Sequence, residues 1–182
     1  MDMGEDKYNS IISYGTLHHI PELEPTIGRI RKALKSRGNL ILYEPLVDNF
    51  TKKSAEFAAI LRVVLPTWES YEKKLIYNRE AWEHYVQEIY NEYRYIDQHG
   101  DNIQSPLDNI NPSEERMIQS IKRYLKIEQI DYCNAFIDKI VGGLRGPNRI
   151  ILAKFLKFLD DELIRRNILP PGSVRIWAIK EN

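Results

Sequence analysis

Cysteine is nearly absent from these 182 residues: Cys133 stands alone, so no disulfide can close within the chain and no Cys/His cluster has zinc spacing. Net charge is absent as well. The 26 basic and 26 acidic residues cancel, and no run of like charge is long enough for a basic arm or a polyanion groove, which argues against nucleic acid as a partner. Long apolar runs are also missing: the N-terminus has no signal-peptide core, and no stretch approaches the length of a membrane span. These absences predict a soluble protein of a reducing, cytoplasmic compartment. The length suits one ordinary domain, 1–182, able to bury a core without staples.

What is present is a pattern near the start. Tyr8-Asn9-Ser10-Ile11-Ile12-Ser13-Tyr14 is a short apolar run, followed by the polar turn Gly15-Thr16-Leu17-His18-His19-Ile20-Pro21. Leu23, Ile27, Ile30 and Leu34 then recur on one helical face, with Arg29, Arg31, Lys32 and Lys35 on the wet side. Pro21 and Pro25 fit a first helical turn, whose amides are unbonded anyway. Gly38 is expected to supply a left-handed helix stop, before a second apolar run, Leu40-Ile41-Leu42-Tyr43, that ends in Glu44-Pro45. This order predicts a β-α-β unit with parallel strands.

Further along, Phe57, Ile60, Leu61 and Val64 form a helical stripe ended by Pro66, and Trp82, Tyr85, Ile89, Tyr93 and Ile96 form a longer one. The second stripe reads either as packing or as the lining of a pocket. Asn111-Pro112-Ser113-Glu114-Glu115 has the cap, proline and acids of a helix start, and Ile118, Ile121 and Leu125 carry that helix inward. The stretch 125–132 alternates like a strand. Pro147 opens a helix whose apolar residues are Ile151, Phe155, Phe158 and Leu159, and Ser173 to Lys180 closes as a strand.

The stretch from Ser13-Tyr14-Gly15-Thr16-Leu17-His18-His19-Ile20-Pro21 through Leu34-Lys35-Ser36-Arg37-Gly38-Asn39-Leu40 resembles the fourth strand, following helix and fifth strand of class I S-adenosylmethionine-dependent methyltransferases. The element order extends that resemblance over nearly the whole chain, as strands four to seven. It implies an α/β fold: a partial Rossmann-like sheet of parallel strands with an antiparallel last strand, and a helical insertion or lid over 50–110. The family's sheet order, 3-2-1-4-5-7-6, would leave the strand at 8–14 on an edge, open to a second copy or a partner chain. The glycine-rich turn and the ribose-binding acid of the family have no counterpart here. The resemblance is therefore to the C-terminal part of such an enzyme, which is expected to hold S-adenosylmethionine poorly alone.

By that resemblance the turn after the first strand holds cofactor and acceptor together, with Ser13, Tyr14 and Gly15 on the cofactor side. His18 and His19 are candidate proton acceptors, since histidine titrates near neutrality; the plainer alternative is that one of them caps the next helix. Gly15 reads as a close-approach position or as a simple turn glycine. Glu44 reads as an acceptor-binding carboxylate or as a solvated strand-end acid. A metal-dependent subgroup of the family carries Glu-x-x-Glu-His in this turn, and the matching positions here are Gly15, His18 and His19, so no metal is expected. The implied activity is methyl transfer to a small-molecule, sugar or lipid-like acceptor. The alternative is a non-catalytic subunit that docks through its open edge.

Overall fold

Strands β1 (Tyr8–Tyr14) and β2 (Leu34–Pro45) run parallel, joined by helix α1 (Leu23–Ala33), so the expected β-α-β unit forms. The computed structural model describes residues 3–20, 22–97, 99 and 113–182. Pro21, Asn111, Pro112 and the last part of the 50–110 insertion lie outside them. Two further strands, β3 (Lys126–Cys133) and β4 (Ser173–Ile179), complete a mixed sheet of order β1-β2-β4-β3, with β4 antiparallel to β2. That is the order implied by strands four to seven, and it makes β1 one of the two terminal strands among the described residues.

The chain resolves into two compact units. The first comprises Met1–Leu46, Gln104–Tyr132 and Ser173–Asn182 and contains the sheet. Its core lies on one sheet face: Leu40 and Leu42 of β2 and Val174, Ile176 and Ala178 of β4 alternate inward, as the two-residue period of a strand requires. Leu23, Ile27 and Ile30 of α1 cover them, together with Met117 and Ile121 of the helix at Glu114–Tyr124. That helix starts on Ser113, whose hydroxyl accepts the Arg116 amide, with Glu114 and Glu115 at its positive end. On the opposite sheet face Ile12 and Tyr14 are each 73% exposed, and Ile41 and Trp177 are about half exposed.

Gly38 does not stop a helix. Helix α1 already ends at Ala33 with Leu34 extended, and the residue in the left-handed region is Arg37 (φ 59°). Gly38 lies inside β2 because its backbone passes close to its neighbours: a Cβ there would meet the Lys35 carbonyl oxygen at 2.8 Å and that of Tyr8 at 3.2 Å.

The second unit, Val47–Ile103 and Cys133–Gly172, is helical. It contains α2 (Lys52–Val64), α3 (Tyr71–Lys74) and α4 (Arg79–Arg94); Glu114–Tyr124 of the first unit is α5. Next come α6 (Ile137–Ile140) and α7 (Arg149–Arg165). Helix α2 starts on a reciprocal cap between Thr51 and Ser54. It buries Ala55, Ala58 and Ala59, while Ile60 and Val64 of the anticipated stripe stay exposed. Alanine wins the inward face because it permits close helix approach; Phe57 and Leu61 pack at its margins. In α4 the packing reading holds: Ile89 and Val86 are buried, and Trp82, Tyr85 and Tyr93 pack against the same core. Helix α7 buries Leu156 and Asp160, packs Leu159 against the same core and exposes Ile151, Phe155 and Phe158.

Candidate functional site

Glu44 is the penultimate residue of β2, two residues after Leu42 and four after Leu40, so its side chain enters the core face with them. It is fully buried, which removes the solvated-acid reading. Burial alone raises a carboxyl pKa, but the hydrogen bond from His18 and those from the Thr16 and Leu17 amides outweigh it, and the group is held below the usual glutamate value. Glu44 is therefore ionised at neutral pH and can only accept hydrogen bonds.

The donors come from the end of the neighbouring strand β1 and from the turn that follows it. Oε1 accepts the amides of Thr16 (3.0 Å) and Leu17 (3.1 Å) and the Ser13 hydroxyl (3.4 Å). Oε2 accepts the His18 amide (3.4 Å) and lies 2.9 Å from His18 Nδ1. Three successive amides thus converge on one carboxylate, and it fixes the single 3₁₀ turn Leu17–His19, whose Leu17 is anchored in the core. Because the carboxylate cannot donate, Nδ1 of His18 carries the proton. Nε2 is left over, buried and without a hydrogen-bond partner among the described residues. The His19 ring lies against that of His18, centroids 3.9 Å apart.

Gly15 makes the corner. Its φ of +57° suits glycine, its amide donates to the Tyr43 carbonyl at 2.8 Å, and a Cβ there would find only His18 Cε1, at 3.9 Å. Backbone at this corner is open to close approach. Tyr14 turns to the exposed sheet face and stacks on Tyr43 (4.7 Å, 11°), whose hydroxyl donates to Ser173. The candidates from the sequence therefore divide. Ser13, His18 and Glu44 meet through hydrogen bonds, Gly15 and His19 flank them, and Tyr14 points to the other face. The amides of Thr16 and Leu17 escaped the reading from residue types because backbone donors leave no mark in a side-chain pattern.

No family model and no curated protein matches the chain. Among solved structures it is similar to a Listeria monocytogenes protein classed as an S-adenosylmethionine-dependent methyltransferase (15% identity, TM-score 0.46, 100% of this chain and 65% of that one). A Mesorhizobium loti S-adenosylmethionine-dependent methyltransferase matches at 13% identity and TM-score 0.46, over 99% of this chain and 65% of that one. Phosphoethanolamine N-methyltransferase 2 of Haemonchus contortus matches at 12% identity and TM-score 0.38, over 98% of this chain and 34% of that one. The chain thus spans just under two thirds of the length of the first two.

Proposed function

We propose that this chain carries the acceptor-side machinery of a class I S-adenosylmethionine-dependent methyltransferase. The observation that carries the reading is the Glu44–His18 pair, held at 2.9 Å at the carboxyl ends of two adjacent parallel strands. Ligands of open α/β sheets collect at such ends. The resemblance of the Ser13–Leu40 stretch names the chemistry, and S-adenosylmethionine, when bound, supplies an electrophilic methyl group.

Ser13, Gly15 and the backbone of Tyr14, whose ring lies on the other sheet face, would contact that cofactor. Gly15 fits the role, since its open, positive-φ corner lets backbone approach a ligand. The acceptor is a small molecule, sugar or lipid-like compound with an O–H or N–H. Glu44 keeps the His18 proton on Nδ1, so the buried Nε2 retains the lone pair that would take the acceptor's proton once the acceptor enters beside it, and the His19 ring packs there to exclude water. Glu44 acts by orienting His18 and the turn, with its own oxygens fully engaged, and contributes to acceptor binding through them.

The test is a titration of the isotope-labelled chain with S-adenosylhomocysteine to millimolar concentration, followed by amide NMR shifts. Shifts confined to residues 13–19 are expected; an unperturbed turn would overturn the reading. A docking subunit is the second reading, favoured by one observation: β1 is terminal among the described strands, with Ile12 and Tyr14 bare. That reading gains if the turn is silent and a partner strand protects the β1 amides from exchange.

A further inference from the structure

Helix α7 presents an apolar stripe to solvent. At 100° per residue Ile151, Phe155 and Phe158 fall within a narrow arc, and they are 70%, 56% and 62% exposed. The core of the second unit takes the opposite side of the helix, through Leu156 and Asp160. With large side chains offering roughly 150–250 Å² each, the stripe leaves about 350 Å² of apolar surface in water per copy.

One flank of the stripe carries an ordered charge pattern. Lys154 and Asp161 stand on the same side, two turns apart. Lys154 has no ion-pair partner among the described residues, and Asp161 pairs with Lys157 of its own helix. In a two-fold antiparallel pair each flank meets its own counterpart running the other way. A cation early and an acid late on one flank are then complementary to themselves, whereas a parallel pair would set this flank against the opposite one and keep Lys154 away from Asp161.

We propose that α7 is a self-association surface, pairing antiparallel with α7 of a second copy about a two-fold axis between Phe155 and Phe158. There each Phe155 packs against the partner copy's phenylalanines, and Lys154 of each copy comes within one turn of the other's acid. The apolar contact is about 700 Å² for the pair, and with the flanking side chains about 1,000 Å², the low end of specific interfaces. The dimer is accordingly weak, with micromolar dissociation.

Sedimentation velocity from 1 to 200 µM tests this. The weight-average mass should rise from 21.5 kDa toward twice that value. Phe155→Glu should weaken dimerisation at least tenfold. Lys154→Glu should weaken it severalfold, and Lys154→Glu combined with Asp161→Lys should recover most of the loss, an outcome that loss of folding cannot produce. A monomer at every concentration overturns the proposal. So does a dimer indifferent to Phe155→Glu, which would pair through another surface such as β1.

Discussion

At Glu44 a buried charge is tolerated because its oxygens meet three backbone amides, a hydroxyl and an imidazole. Glu44→Ala strands those donors in the core and should cost about 3 kcal/mol in urea unfolding. Glu44→Gln should cost less, since an amide oxygen still accepts. The folded pKa of Glu44 lies below its unfolded value of about 4.3. Its contribution is therefore complete above that pH and is lost as the pH falls through the folded value; the acid limb of the stability curve should flatten in Glu44→Gln. The burial of this acid was legible in principle: the alternation Leu40-Leu42-Glu44 assigns it to the core face. Its convergence with His18 was not, because it depends on the parallel register that sets Tyr14 beside Tyr43.

Among the elements, β2 and α7 depend on single residues that composition would pass over. Gly38→Ala would drive a methyl into the Lys35 and Tyr8 carbonyls and should destabilise the protein by about 1–3 kcal/mol, measured as a lower denaturant midpoint with unchanged slope. The glycine is visible in the sequence but its reason is not, since a helix stop and a close strand contact use the same residue type. In α7, Asp160 accepts the amides of Phe136 (2.8 Å) and Ile137 (3.0 Å) and so caps the entry to α6. Burial raises its pKa, and those amides offset the rise only in part. The sign is opposite to that of Glu44: between the unfolded and folded values the native state holds the extra proton, so stability falls as pH rises through that window. Asp160→Asn keeps an accepting oxygen and removes the titration. Its stability should therefore improve relative to the parent as the pH rises above the unfolded aspartate value of about 3.9, measured in urea unfolding. The helix itself was readable from its period, but the inward side was not, because apolar residues lie on both sides and Asp160 is the buried one.

For the whole molecule, the order of elements in sequence sufficed to expect the parallel β-α-β unit, while the strand order and the antiparallel last strand were expected only from the family resemblance. The division into two units was harder to read, since each is assembled from segments separated along the chain. The bare sheet face has a further consequence, for colloidal behaviour. Tyr8-Asn9-Ser10-Ile11-Ile12-Ser13-Tyr14 is seven residues with no charge, proline or glycine, the composition of a steric zipper, and it sits at the rim of the sheet with Tyr8 to Ser10, Ile12 and Tyr14 exposed. Under mild destabilisation it should seed ordered fibrils that bind thioflavin, and Ile12→Lys, a charge at the 73% exposed position, should lengthen the lag at least severalfold without lowering the unfolding midpoint. The same stretch that leads into the candidate site thus sets an upper limit on how concentrated the protein can be kept.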